Sequence, residues 1–372
     1  MKNVPELRFK EFSGEWEERQ LNKIIEISNI KFNPKINLTN QICIELEHIS
    51  SKTGKLLGYI DSNNQESIKN IFNENQIIYG KLRPYLRKYW FAKFNGVCSS
   101  EFWVFSGKQT DNKYLYFFVQ TEKFNQISNI SCGSKMPRAD WNYMSLFKFY
   151  IPGTYEQQKI ASFLSAIDKK IELTDKKLEY LEKYKKGLMQ RLLTGKVRFP
   201  GFNYEWKEEK LKNVAKIYQP QTISKSELNN NYNYLVYGAN GIIGKYNKYN
   251  HEKEQILVSC RGANCGIVNF SRPFCWITGN TMVINTDDNR NIDKNFLYFY
   301  LKNDKLNYLI TGSGQPQITS NIGLHKINLP SLPEQQKIVS FLSAIDKKIE
   351  LIKSRLENLK KYKKGLLQKM FI

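Results

Sequence analysis

Two sets of polar side chains in this sequence have the chemistry needed to contact nucleic-acid bases. The first set is cationic and lies near Tyr79, Tyr85 and Tyr89. Its members are Lys81, Arg83, Arg87, Lys88 and Arg138. An arginine guanidinium can donate two parallel hydrogen bonds to guanine in the major groove, so this set is a candidate base-contacting surface. A phosphate contact remains the alternative for each single member.

The second set lies in the other half of the chain and is rich in amides. Its members are Arg261 and Asn264 in a Gly-rich turn, Asn280 after a Thr-Gly pair, and Gln315 and Gln317 on either side of Pro316. Asn and Gln can form paired hydrogen bonds with adenine. A phosphate contact or a hydrogen bond within a loop is the alternative here too.

The net charge favours a polyanionic partner. The 372 residues include 57 Lys and Arg against 35 Asp and Glu, which leaves a formal charge of +22. The excess is spread over both halves, so an extended polyanion could contact both. Nucleic acid is the first expectation and an anionic membrane surface the second. Release of counterions from phosphates would supply most of the affinity.

Catalytic signatures are largely missing from the sequence. It contains no Asn-Pro-Pro-aromatic motif for methyl transfer to a base, no Pro-Asp start of a nuclease metal motif and no phosphate-binding loop. His48, His251 and His325 have no carboxylate at ligand spacing, so we expect no metal site. Six cysteines form no Cys-x-x-Cys pair and are expected to be reduced thiols in a cytoplasm. No apolar run or leader pattern indicates a membrane or a secretory location.

The chain is a tandem duplication. Residues 156–192 and 334–370 are identical at 27 of 37 positions when aligned with an offset of 178. Upstream, an Arg-Phe…Glu-Trp segment occurs at 8–16 and again at 198–206, with an offset of 190. Shorter echoes are Tyr-Leu-Tyr-Phe-Phe at 114–118 against 296–300, and Gly-Ser-Lys-Met-Pro at 133–137 against 312–316. Each copy therefore contains a leading segment, a globular domain and a closing helix.

Each closing segment carries a heptad pattern over about five heptads, which predicts a helix roughly 55 Å long. The apolar seam of the first comprises Ile160, Leu164, Ile167, Ile171, Leu178, Leu181 and Leu188, and that of the second comprises Ile338, Leu342, Ile345, Ile349, Leu356, Leu359 and Leu366. The nearest partner for each seam is the other copy. Antiparallel pairing is favoured over parallel pairing, because it separates the seam lysines Lys185 and Lys363. Such a pair would act as a ruler that fixes the distance between the two globular domains.

The duplicated Glu-Gln-Gln-Lys-Ile…Phe-Leu-Ser-Ala-Ile-Asp-Lys-Lys-Ile-Glu-Leu…Lys-Tyr-Lys-Lys-Gly-Leu segments at 156–188 and 334–366 resemble those of one known family. So do the Arg-Phe…Glu-Trp segments and the Gly-rich strings of the second domain, at 238–246, 261–266 and 278–281. By these motifs the chain resembles the specificity subunits of type I restriction-modification systems, over essentially its whole length.

The resemblance implies a mixed α/β fold: two target recognition domains, at 1–154 and 196–332, with conserved helices at 155–195 and 333–372 that form an antiparallel coiled coil. It implies a non-catalytic subunit that binds a bipartite, asymmetric site in double-stranded DNA, one half per domain. The implied partners are two modification (methyltransferase) subunits and the restriction (endonuclease and translocase) subunits. S-adenosylmethionine, ATP and Mg would then belong to those partners and not to this chain.

Two other functions stay open from the residues alone. One is a self-contained modification-restriction enzyme, which the missing motifs disfavour. The other is a coiled-coil scaffold without a DNA role, which a salt-dependent gel shift with duplex DNA would distinguish from a specificity subunit. The bases of the target do not follow from the sequence.

Overall fold

The protein is described here by a computed structural model, which covers residues 3–37, 39–132, 136–304, 306–312 and 314–372. Contacts divide the chain into two units. The first comprises residues 1–175 and 354–372, and the second comprises residues 176–353. The division falls inside both long helices, so each unit contains one globular domain and a part of each helix.

The described residues of the first unit form thirteen strands and four short α-helices before its long helix. These are β1 (Glu17–Gln20), α1 (Leu21–Ile24), β2 (Ile25–Ile27), β3 (Lys31–Phe32), β4 (Ile42–Ile44), β5 (Ile60–Asp61), β6 (Lys69–Phe72), β7 (Ile77–Gly80), β8 (Tyr89–Phe91), β9 (Gly96–Ser99), β10 (Phe102–Gly107), α2 (Asn112–Phe118), α3 (Glu122–Ser128), β11 (Ser131–Cys132), β12 (Arg138–Ala139), α4 (Trp141–Met144), β13 (Lys148–Ile151) and α5 (Thr154–Leu192).

The core sheet of the first unit has the order β2-β10-β7-β8 and is antiparallel. Strand β7 reads Ile-Ile-Tyr-Gly and is buried at every position, as expected for a central strand whose β-branched residues face apolar neighbours on both sides. A second sheet has the order β3-β6-β9-β4-β5, in which only β4 and β9 are parallel. Strand β1, at the start of the domain, pairs with β13, at the end of the domain.

The second unit continues with β14 (Lys207–Lys210), α6 (Leu211–Val214), β15 (Lys216–Tyr218), β16 (Tyr234–Gly238), β17 (Gly241–Tyr246), β18 (Ile256–Ser259), β19 (Val268–Phe270), β20 (Trp276–Ile277), β21 (Thr281–Asn285), α7 (Lys294–Asn303), β22 (Lys326–Leu329) and α8 (Leu332–Lys369). Its core sheet has the order β15-β21-β18-β19, which is the same topology as that of the first unit. Strands β7, β8 and β10 pair in the same registers as β18, β19 and β21 at one offset. Phe102 pairs with Gly80, and Thr281 pairs with Ser259, 179 residues later in each case.

The two domains differ in what surrounds this shared sheet. In the second domain a three-stranded sheet, β17-β16-β20, takes the place of the five-stranded sheet of the first.

The two aromatic echoes, at 114–118 and 296–300, lie at similar positions in the two domains but in helices of different length. The first lies in α2, which ends before a separate helix α3, and the second lies in the longer helix α7. Residues 113–126 therefore form parts of two helices and not one, and α7 ends at Asn303. Thr121 accepts a hydrogen bond from Phe124 N and starts a new helix.

The Glu-Gln-Gln repeat has the same structural role in both units. Gln157 Oε1 accepts a hydrogen bond from the backbone N–H of Asp111, which caps α2, and Gln335 Oε1 accepts one from Asp293, which caps α7. The neighbouring carboxylates, Glu156 and Glu334, bind the arginines of the two Arg-Phe segments. The Arg8–Glu156 and Arg198–Glu334 distances are both 2.7 Å. Each leading segment is thereby held on the first turns of the helix that closes its copy.

Within each unit the two long helices pack in antiparallel directions. In the second unit, Glu182 pairs with Lys353 and Lys185 pairs with Asp346, so residue numbers rise along α5 while they fall along α8. In the first unit, the start of α5 packs on the end of α8: Ile160, Leu164 and Ile167 share a core with Leu366 and Met370. All fourteen seam residues are buried or half-buried.

Candidate nucleic-acid interface

Three segments of the first domain meet where β7 ends. Lys81 N donates to Glu101 O at 2.9 Å, and Ala139 N donates to Lys81 O at 2.9 Å. An isolated antiparallel bridge joins Leu82 to Arg138, and Arg83 N donates to the carbonyl of Pro137 at 2.8 Å. We call the arrangement of residues 81–83, 101 and 137–139 the first frame. It is built from the backbone, so its shape does not depend on which side chains it carries.

The second domain contains the same arrangement 179 residues later. Cys260 N donates to Asn280 O at 3.2 Å, and Ile318 N donates to Cys260 O at 3.0 Å. A bridge joins Arg261 to Gln317, and Gly262 N donates to Pro316 O at 3.0 Å. Residues 260–262, 280 and 316–318 form the second frame. Every backbone contact of the first frame therefore has a counterpart in the second.

In the first frame the exposed side chains are charged. Arg138 donates two hydrogen bonds to Glu101, from Nη2 to Oε1 at 2.8 Å and from Nε to Oε2 at 3.0 Å. This pairing lowers the pKa of the Glu101 carboxyl and raises the pKa of Arg138. The side chains of Arg138 and Glu101 are 46% and 24% exposed. Arg83 is also exposed, and its backbone has a left-handed φ of 49°. The pair therefore lies at the surface with its polar atoms accessible to a ligand.

In the second frame the exposed side chains are mostly neutral amides. Asn280 and Gln317 are exposed, and Arg261 is exposed beside them. Two further residues of the predicted set lie in the flanking loops. Gln315 is exposed, and the half-buried Asn264 donates to Asn240 Oδ1 at 2.6 Å. The structure thus brings Arg261, Asn280 and Gln317 together in one frame and places Asn264 and Gln315 in the loops beside it.

Arg87 and Lys88 lie beyond the first frame, in the turn that leads into β8. The Arg87 guanidinium donates to Glu122 at 2.8 Å and to the carbonyl of Gln120 at 2.7 Å. Lys88 Nζ donates to Leu46 O at 2.5 Å, and partial burial lowers the pKa of this amine. Both side chains already bind groups of their own domain. Of the cationic set, Lys81, Arg83 and Arg138 are the residues that the structure assembles in one frame.

In each domain, one residue at the candidate interface was missed by reasoning from the sequence. Glu101 was overlooked because an acidic residue in a basic chain does not suggest DNA contact, and Asn240 lies in a hairpin loop far from Asn264 in sequence. The offset of 179 was the available indication for Glu101, since it aligns this residue with Asn280. Residues 133–135 and Ser313, in the two Gly-Ser echoes, lie outside the described residues.

The structure also bears on two other kinds of site, a metal site and a membrane-spanning helix. His325 Nε2 lies 3.1 Å from Asp304 Oδ2, a carboxylate that sequence spacing did not reveal. Within the part of the chain that the structure covers, no group of three His, Cys, Asp or Glu side chains could hold a metal ion. No helix formed by the described residues is long and apolar enough to cross a membrane.

The sequence profile of the family described as type I restriction modification DNA specificity domain matches residues 13–183 and 203–361. Among curated relatives, a putative type I restriction enzyme MjaX specificity subunit of Methanocaldococcus jannaschii is 28% identical over 289 residues. The aligned region covers 68% of this chain and 66% of that subunit. The MjaVIII specificity subunit of the same organism is 26% identical, with 70% of this chain and 69% of the relative covered.

Solved structures give the same fold. The S subunit of the type I restriction-modification system of M. genitalium aligns with a TM-score of 0.65 at 16% identity, over 99% of each chain. The HsdS subunit from Thermoanaerobacter tengcongensis aligns with a TM-score of 0.51 at 20% identity, over 96% of each chain. The family profile covers both globular domains, so neither a bare coiled-coil scaffold nor a self-contained enzyme is favoured. The chain belongs to the family of type I restriction-modification DNA specificity subunits, whose members are non-catalytic DNA-recognition subunits.

Proposed function

We propose that each frame contacts base edges in one half of a bipartite, asymmetric site in double-stranded DNA. The observation that carries this proposal is the repetition of one backbone arrangement with different exposed side chains. A fixed framework that presents Lys81, Arg83, Glu101 and Arg138 in one copy, and Arg261, Asn280 and Gln317 in the other, is suited to two different sequences. The asymmetry of the site then follows from the divergence of the copies.

Arg87 and Lys88 have a different role in this proposal. Their hydrogen bonds to Glu122, Gln120 and Leu46 brace the turn after β7 and hold the frame in place. The remaining cations of the chain contribute through phosphates, which bind without regard to sequence. Affinity and specificity are therefore carried by largely separate residues.

The proposal includes partners. Two modification subunits and the restriction subunits would assemble with this chain and bring S-adenosylmethionine, ATP and Mg, in a cytoplasmic complex. The near-identity of the two helices supports a pair of equivalent partner sites. Identity extends to side chains outside the seam, such as Tyr184 and Tyr362, which are 44% and 54% exposed and are not needed for the seam itself.

Expression of the chain with its modification subunits, in a host that lacks this methylation, tests the proposal. Sequencing that detects methylated bases should reveal one motif with two short, different halves and an unread gap. Replacing residues 1–154 with the matching part of another family member should change one half and leave the other. A continuous motif, or a motif that the replacement leaves unchanged, would contradict the proposal.

A further inference from the structure

Glu101 and Asn280 occupy equivalent positions in the two frames, as do Arg138 and Gln317. The equivalence rests on the backbone bonds to Lys81 N and Cys260 N, and on the two bridges, all at the offset of 179. A DNA base pair that meets one frame at these positions therefore meets the same geometry in the other. What differs is the hydrogen-bonding chemistry of two side chains.

An ionised carboxylate only accepts hydrogen bonds, and a guanidinium only donates them. In the major groove, cytosine presents the N4 donor, while its partner guanine presents the acceptors O6 and N7. The pair of Glu101 and Arg138 is complementary to these two edges together. A thymine in place of the cytosine would set its O4 acceptor against the carboxylate, and the repulsion would exclude it.

Asn280 and Gln317 carry the other chemistry. An amide both donates and accepts, and in this way it matches the N7 acceptor and the N6 donor of adenine. Neither side chain is a pure donor or a pure acceptor, which is what the guanine and cytosine edges of a C·G pair would require at these two positions. The same two positions therefore suit a C·G pair in the first domain and an A·T pair in the second.

We infer that Glu101 and Arg138 together specify one C·G base pair in the half-site of the first domain, and that Asn280 and Gln317 specify an A·T pair at the corresponding place in the other half-site. This inference rests on the proposed function and assigns base identities to two positions of it. In the free protein, Glu101 and Arg138 neutralise each other, and the accessible geometry of their two hydrogen bonds lets each exchange its partner for a base.

The test is an exchange of these side chains between the frames. The first variant is E101N/R138Q, and the reciprocal variant is N280E/Q317R. Each is expressed with the modification subunits, and the methylated motif is read by sequencing. We expect E101N/R138Q to change one position of one half-site from C·G to A·T, and N280E/Q317R to change one position of the other half-site from A·T to C·G. Preference for the new base pair should exceed that for the old one by about 5- to 150-fold.

A single variant, E101Q, provides a second measurement. Its amide has the shape of the carboxylate but not its charge, so discrimination should relax at the same position and nowhere else. Thermal unfolding of each variant checks that the domain remains folded, which we expect because the four side chains are exposed or half-exposed and the frame is held by backbone bonds.

The outcomes separate the inference from the proposed function. A wild-type motif with two halves, left unchanged by E101N/R138Q, would overturn the inference and leave the proposed function standing. A folded variant that loses methylation evenly at all sequences would also overturn it, because the pair would then contribute only general binding. Absence of a bipartite motif for the wild-type chain would overturn the proposed function itself.

Discussion

Lys185 Nζ lies 2.5 Å from Asp346 Oδ1, between α5 and α8 in the second unit. The counterparts of both residues in the other copy form the same pair in the first unit, where Lys363 lies 2.7 Å from Asp168. In each unit, the seam lysine on the helix of one copy therefore forms an ion pair with an aspartate on the helix of the other copy. The ion pair forms only with antiparallel helices in this register, which links the direction of pairing to two residues of the repeat.

The seam pairs should contribute to stability. The Lys363 side chain is 13% exposed, and its loss leaves the Asp168 carboxylate, 30% exposed, without its main partner. We expect K363A to lower the free energy of unfolding by about 1–2 kcal/mol, measured by urea denaturation. The exposed pair of Lys361 and Glu357 on the same helix is the control, and K361A should not measurably shift the unfolding midpoint. Equal effects of the two substitutions would show that the seam position has no special role.

The ion pair between Glu156 and Arg8 should hold the leading segment on α5. Glu156 is 4% exposed, and its carboxylate accepts two hydrogen bonds from Arg8. We expect E156A to lower the free energy of unfolding by about 2 kcal/mol, because the half-buried arginine then loses its carboxylate partner and keeps only the Ser13 and Gly14 carbonyls as acceptors. Hydrogen exchange should show loss of protection in residues 7–16. The neighbouring E11A variant loses only an exposed pair with Lys159 and serves as the control. Unchanged exchange in E156A would contradict this account.

The second unit should lose stability on mild acidification. Burial lowers the pKa of His251 below its ordinary value of 6.5, and this side chain also binds Tyr218 and Asn250. As the pH falls below about 6.5, the unfolded chain takes up a proton that the folded chain does not, so the free energy of unfolding decreases. The contribution should be up to about 1.4 kcal/mol per pH unit and should be fully present above pH 6.5.

This pH effect can be measured by urea denaturation between pH 7.5 and pH 5. H251Q should reduce the slope of stability against pH, whatever its effect at neutral pH. Burial also lowers the pKa of His325, so H251Q/H325Q should reduce the slope further. An unaltered slope in the double variant would assign the pH dependence to other groups.

Arg83 and Arg261 should affect DNA binding in a way that identifies their contacts. Both are exposed on the frames. We expect R261A to relax discrimination at one base position by about 1–3 kcal/mol, because Arg261 is exposed and pairs with Gln317 through a backbone bridge of the frame. If a residue holds only phosphate, affinity should fall evenly across sequences and the salt dependence should decrease by about one unit of slope. K148A removes an exposed cation bound to Glu18 and provides the control. Unchanged binding in both R83A and R261A would place the interface elsewhere.

The helix pair should determine the unread gap of the site. Insertion of one heptad in α5 between Leu173 and Lys176, with a matching heptad in α8, preserves the seam and adds about 10 Å of helix. We expect a gap that is longer by about 3 base pairs, since DNA rises about 3.4 Å per base pair, with both half-sites unchanged. The methylated motif gives the result directly. An altered half-site, or an unchanged gap in an active complex, would refute the ruler hypothesis.

Several properties of this protein followed from the sequence by itself. Residues such as Ile160 and Ile338 keep their type and spacing in both copies. This repetition indicated the duplication, the two long helices with their seams, and the family. Antiparallel pairing was predicted from Lys185 and Lys363 because like charges avoid each other in an apolar seam. Local periodicity and identity are sufficient for such predictions, since neither depends on which distant segments meet.

The composition of the two frames was decided by the tertiary structure alone. Each frame joins segments between about 20 and 60 residues apart through backbone N–H and carbonyl groups, and those groups are the same whatever side chains they carry. The offset of 179 aligns Glu101 with Asn280, but no residue pattern shows that Glu101 binds Arg138 or that these segments meet. For the same reason, sequence proximity grouped Arg87 and Lys88 with Arg83, although the left-handed turn at Arg87 directs them to acceptors within their own domain. The sequence determined what kind of protein this is, whereas long-range backbone pairing determined which side chains share a surface.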